Sequence, residues 1–121
     1  MNDKAENQDL KLRTKKFALR IIKLFSALPH TVESQVIGKQ ILRSGTSVGA
    51  QYREATRARS TAEFISKIES GLQELEETMY WLELLVEAEI FKSEKLQSLQ
   101  QEAEELMAIL VSSVKTAKAR K

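Results

Sequence analysis

The chain has no cysteine and only one histidine, His30. Without cysteine there is no disulfide framework, no thiolate nucleophile and no thiolate metal site. A lone histidine excludes paired-histidine ligation and the HExxH pattern, and it leaves a catalytic triad only one residue to draw on, which reads as a solvent-exposed turn histidine. Proline also occurs once, at Pro29, and glycine four times in 121 residues, so the elements must be few and long. No apolar run approaches the roughly 20 residues that span a bilayer, and the polar stretch from Met1 to Lys16 lacks a signal-peptide core. A cytoplasmic protein that does not enter a membrane is expected. GxxxxGK[ST], GxGxxG and zinc-ligand spacings are missing as well. The sequence therefore assigns no catalytic residue, no metal ligand and no cofactor site, and the expectation is that the protein is not an enzyme.

The length suits one domain, and 42% hydrophobic with 30% charged residues is ordinary for a helix-rich protein. A net charge of +2 conceals strong segregation. Residues 1 to 59 carry twelve Lys/Arg against five Asp/Glu, whereas residues 60 to 105 carry three against twelve. The end is basic again, with Lys115, Lys118, Arg120 and Lys121.

Helical periodicity accounts for most of the apolar residues. Leu10, Phe17, Ile21, Leu24, Phe25 and Leu28 share an arc of about 100°, a core-facing stripe that Pro29 terminates. A second helix starts near Glu33 or Ser34. Ile37, Ile41, Val48, Tyr52 and Ala55 lie on one side of it, with Gly38, Gly45 and Gly49. Each of those glycines costs about 1 kcal/mol of helix propensity, so they are expected where a neighbouring backbone approaches closely. Ser60-Thr61-Ala62-Glu63 is a capping box opening a third helix, whose seam runs Phe64, Ile68, Leu72, Leu75, Met79, Leu82, Val86. Ser93 offers a cap for a fourth helix with Leu96, Leu99, Ala103, Leu106, Leu110, Val114 and Ala117 facing inward. The expected fold is all-α, an antiparallel up-and-down four-helix bundle with helices at about 9–28, 34–58, 61–89 and 94–117.

Three groups of residues stand outside this core pattern. Tyr80, Trp81 and Leu84 on helix three, with Leu19 and Ile22 on helix one, lie off their seams; they read as an oligomer interface or as residues covered locally within the monomer. Ser44, Ser47, Gln51 and Glu54 follow 3, 4, 3 spacing along one flank of helix two, forming a polar seam that either bonds across helices or contacts a ligand. On the other flank Lys39, Arg43, Arg53 and Arg57 cluster within about 80°, the footprint of phosphate-backbone binding, of a solvated face, or of pairing with the glutamates of helix three. Glu83 and Glu87 are spaced i, i+4, but the histidine that accompanies carboxylates in bundle metal sites is missing, so they read as a solvated acidic face.

The stretch Gln40-Ile41-Leu42-Arg43-Ser44-Gly45-Thr46-Ser47-Val48, followed by Glu54, Arg57, Ser60, Glu63, Phe64 and Ser70-Gly71-Leu72-Gln73-Glu74-Leu75-Glu76, resembles the bacterial family of four helix bundle proteins encoded in 23S ribosomal RNA intervening sequences. The resemblance covers about residues 36 to 86. It implies an up-and-down bundle that assembles into a homopentameric ring, with a role in binding RNA or DNA. A related branch of the family serves diversity-generating retroelements as an accessory partner of the reverse transcriptase. Gln51 stands where the family usually has asparagine, and Glu69 replaces a small residue. The functional expectation is a non-enzymatic oligomer that binds RNA or DNA through helix two, or assists a nucleic-acid enzyme. The rival expectation is a protein-interaction scaffold in which acidic and basic faces pair between subunits.

Overall fold

The computed structural model describes residues 4–120 and contains four helices: α1, Lys4–Ser26; α2, Val32–Thr56; α3, Thr61–Glu87; and α4, Ser93–Ala119. Each is about 35 to 40 Å long at 1.5 Å per residue. Connections of four or five residues leave no length for a crossover, so successive helices run antiparallel. α2 packs between α1 and α3, and α3 between α2 and α4. α1 closes onto α4 with the loosest packing of any neighbouring pair. This is the all-α, up-and-down four-helix bundle expected from periodicity.

The core is a continuous column. Phe17, Ile21, Ile41, Val48, Tyr52, Ile68, Leu75, Leu82, Leu106 and Leu110 are almost wholly excluded from solvent. Burying side chains of this size stabilises by about 1.5–3 kcal/mol each. The buried hydroxyls are satisfied within or between helices. Thr14 Oγ1 donates to Leu10 O at 2.8 Å, Ser113 Oγ to Ile109 O at 3.2 Å, and the Tyr52 hydroxyl, at the foot of the core, donates to Asn7 Oδ1 at 2.9 Å.

Several boundaries differ from those expected. α1 ends at Ser26, not 28, because the chain tightens before Pro29, with Leu28 N–H donating to Phe25 O at 3.2 Å. α2 starts at Val32, and its N-cap is Thr31, whose hydroxyl accepts from Ser34 N–H at 3.3 Å. Val32 is exposed and so gives no apolar signal for the helix start. At α3 Ser60 does cap, accepting from Glu63 N–H at 3.0 Å. The reciprocal half of the box is displaced, since the Glu63 carboxylate takes Arg59 N–H at 2.9 Å. Ser93 is the first residue of α4, and the N-cap is Lys92, with no side-chain capping bond. α3 ends in a Schellman turn in which Ile90 N–H donates to Leu85 O and Glu89 N–H to Val86 O. The left-handed position is held by Glu89 (φ 61°), where glycine is usual.

The buried face of α3 is rotated toward α2 relative to the expected seam. Gly71, Thr78 and Leu85 are buried, while Leu72, Met79 and Val86 are half-buried; Ile65, one heptad before Leu72, is buried only at the start of the helix. The cause is packing: α3's longest seam is with α2, so the residues turned that way are covered most completely.

Candidate nucleic-acid interface

α2 carries every residue of the polar seam and, except for Arg57, of the basic cluster; the helix ends at Thr56, not 58, and Arg57 is its C-cap. The two sides of α2 are built differently. On the side facing α3, the Thr78 and Ser44 hydroxyls meet at 2.7 Å. Ser44 Oγ also lies 2.8 Å from Gln40 O and Thr78 Oγ1 2.8 Å from Glu74 O, so one hydroxyl bridges the helices while the other returns its proton to its own backbone. One turn on, Ser47 Oγ donates to Arg43 O at 2.7 Å. Gln51 packs beside Gly71, and its Oε1 is buried without a hydrogen-bond partner among the described residues. Glu54, exposed, pairs with Lys67 Nζ at 2.7 Å; hydrogen bonding to Glu54 is the main cause of a raised Lys67 pKa.

The partners on α3, Lys67, Gly71, Glu74 and Thr78, form a mirrored stripe at 4, 3, 4 spacing. It runs antiparallel to Ser44, Ser47, Gln51 and Glu54. Reading helix two alone misses this stripe. Its signal in the sequence is the matching spacing on the next helix.

The basic cluster separates into two kinds of residue. Arg43 lies against α3, where its guanidinium bridges Glu74, at 3.0 Å, and Glu77, whose carboxylate also accepts from Trp81 Nε1 at 3.3 Å. The hydrogen bond to Glu77 is the leading cause of Arg43's raised pKa, and the same bond, followed by that from Trp81, holds the Glu77 carboxyl below its ordinary value. Arg43's charge is thus already compensated by two carboxylates. Lys39, Arg53 and Arg57 are exposed and joined to no carboxylate among the described residues. Arg59 pairs with Glu63 at 3.6 Å.

Across the α1–α2 side, a shallow groove lined by Ala18, Thr46, Gly49 and Ala50 has Lys15 on one wall and Arg53 on the other. Lys15 belongs with the α2 cations by position. The sequence registers it only as one of several basic residues near the N-terminus. At the basic C-terminal end, Lys118 pairs with Glu69 at 3.6 Å, and Lys121 lies outside the described residues.

The off-seam apolar residues occupy two outward faces. Leu19 and Ile22 on α1 are exposed, with Leu12 one heptad before Leu19. On α3 Tyr80 is exposed and meets the Trp81 ring edge-on at 5.1 Å, whereas Trp81 and Leu84 are half-buried and Trp81 packs against the core. His30 is exposed in the α1–α2 turn, and Glu83 and Glu87 are exposed on α3. Among the described residues no group of carboxylates and histidine is arranged to hold a metal, and no helix is long and apolar enough to cross a membrane.

Comparison with known proteins bears on the whole arrangement. The family model of the 23S rRNA-intervening sequence protein matches residues 6–112. A crystal structure of a protein with unknown function from the S23 ribosomal protein family, from Bacteroides thetaiotaomicron VPI-5482, superposes with a TM-score of 0.85 at 41% identity. The match covers 90% of this chain and 97% of that one. No curated protein matches. The chain belongs to the 23S rRNA-intervening sequence protein family.

Proposed function

From that membership, we propose that the protein is a non-enzymatic homo-oligomer that contacts the backbone of RNA or DNA through the exposed face of α2, on its own account or as accessory to a nucleic-acid enzyme. The observation that carries this reading is the state of Lys39, Arg53 and Arg57: three exposed cations on α2 and its C-cap, none neutralised by a carboxylate among the described residues. Lys15 extends the set across the α1–α2 groove. Contacts of this kind bind phosphate without reading bases. A salt series is the test. Three phosphate contacts per subunit give a log–log slope of about −2.7 on duplex, and each of Arg53→Ala, Arg57→Ala and Lys39→Ala removes about one unit of it. Arg43→Ala changes the slope least, because its guanidinium is already held by Glu74 and Glu77. Absence of binding to both RNA and DNA at low salt overturns the proposal in favour of a protein-interaction scaffold.

Two outward faces of opposite charge support self-association. On α1, Leu12, Leu19 and Ile22 sit among Lys15 and Lys16; on α3, Tyr80 and Leu84 sit among Glu76, Glu83 and Glu87. Unlike faces pair head-to-tail, and head-to-tail interfaces form rings where the rotation between copies closes; a pentamer is the ring that the family resemblance favours. Native mass spectrometry tests it. A mass of five chains, falling to one in Leu19→Glu/Ile22→Glu, is expected, and a wild-type mass of one chain overturns it.

A further inference from the structure

Where α1 closes onto α4, the packing is loose and the helices leave an open groove of about 390 Å³. That is within the roughly 300–1,000 Å³ typical of ligand sites, which occur between helices of bundles. Its floor is apolar. Leu24, Leu96 and Leu99 are buried core residues that show one edge to the groove, and half-buried Phe91, from the α3–α4 turn, closes one end. Its rim is cationic. Arg20 and Lys23 stand on α1 and Lys95 on α4, all exposed, and none is paired with a carboxylate among the described residues. Arg20 donates one N–H to Ser98 Oγ at 3.0 Å, which props the guanidinium over the groove and leaves its other donors free.

An apolar floor inside a ring of uncompensated positive charge selects its occupant by two criteria at once. A sugar–phosphate strand satisfies the rim but covers the floor poorly. A neutral apolar segment does the reverse. We propose that this groove is a docking site for an acidic amphipathic segment of a partner protein. A bulky apolar side chain rests on Leu24, Leu96 and Leu99, and flanking carboxylates reach Arg20, Lys23 and Lys95. The lining runs from Arg20 on α1 to Ala27 just past its end, about 10 Å along the helix axis, so the site takes roughly two helical turns of a partner. On α1 the groove adjoins the Leu12, Leu19 and Ile22 face, since Lys23 stands one turn beyond Leu19, so subunit mass is read alongside peptide binding. The proposal stands independently of the nucleic-acid reading of α2.

The probe is a fluorescein-labelled helical peptide with one phenylalanine and two leucines on one face and glutamates flanking them, titrated with the full-length protein at physiological ionic strength. Two control peptides replace the glutamates with lysine or the phenylalanine with serine. The expected result is saturable binding of the acidic amphipathic peptide and at least tenfold weaker binding of both controls. Lys23→Glu/Lys95→Glu, both exposed positions, and Ala27→Leu, which fills the groove from an exposed position, each weaken binding at least tenfold, with subunit mass and RNA affinity unchanged. Failure of the wild-type protein to bind the acidic peptide at millimolar concentration overturns the proposal. So does binding that is indifferent to the variants. Loss of the oligomer in Lys23→Glu/Lys95→Glu assigns the groove to a second copy, and loss of RNA affinity without peptide binding assigns it to nucleic acid; either result also overturns it.

Discussion

Toward α1, α2 presents Gly38, Gly45 and Gly49; toward α3 it presents Arg43, Ser44, Gln51 and Glu54. The first flank works by removing side chains, so that Phe25, Ile21 and Thr14 of α1 and Leu28 of the following turn rest almost on the α2 backbone. The second works by adding polar groups that find partners in register on α3. One helix therefore has a side that specifies distance and a side that specifies alignment, and the two sides should respond differently to the same kind of substitution.

The largest difference is expected at Gly45. A Cβ there lies 2.7 Å from Ile21 Cγ1, a branch close to the α1 backbone that cannot swing away. Gly45→Val is expected to destabilise by about 3 kcal/mol and lower Tm by roughly 10 °C or more, read by calorimetry. On the other flank, cutting the Ser44–Thr78 bridge is a smaller change. Ser44→Ala and Thr78→Val each cost about 1 kcal/mol, and a double-mutant cycle by urea unfolding gives a coupling near 1 kcal/mol. Gly71, the glycine that faces α2 from α3, sharpens the contrast. Its nearest neighbours to a new Cβ are Gln51 Cβ at 3.5 Å and Val48 O at 3.7 Å, ordinary contact distances. Gly71→Ala is expected to stabilise by about 0.5–1 kcal/mol from helix propensity alone, seen as a rise in Tm.

The smallest effect is electrostatic. Arg43 is half exposed, so Arg43→Gln costs under about 1 kcal/mol, and less in high salt. Its pH dependence has a definite sign. The Glu77 carboxyl is held below its ordinary 4.5 when folded, so this contribution is fully present above that value and fades as pH falls through the lower folded value. The stability gap between wild type and Arg43→Gln should therefore close on acidification below pH 4.5, as measured by urea midpoints.

The fold was legible because four amphipathic stripes separated by a proline and two polar turns admit few arrangements, and the helical glycines announced a close neighbour. The miscounted ends have local causes. Thr31 caps ahead of an exposed valine, and Glu89 fills a left-handed position that glycine normally marks. On α3, Phe64, Ile68, Leu75 and Leu82 are buried as their spacing implies, but periodicity weights Leu72, Met79 and Val86 by hydrophobicity and gives Gly71 and Thr78 none, although their place opposite Gln51 and Ser44 buries them. At the candidate site, the cations were visible as a cluster. Which of them was already neutralised depended on Glu74 and Glu77, some thirty residues away in the chain.

One contact spans almost the whole chain. Arg13 on α1 reaches α4, donating to Glu102 from Nε at 3.1 Å and from Nη2 at 2.8 Å and to Glu105 at 3.0 Å; the bond to Glu102 is the main cause of its raised pKa. The three hairpins α1–α2, α2–α3 and α3–α4 can each form between neighbours in sequence, but this clamp has nothing to close on until all three exist. It is expected to form in the last step of folding, after the transition state. Arg13→Ala should therefore leave the refolding limb of a chevron plot where it is and raise the unfolding rate, making the clamp a lock on the finished bundle's lifetime.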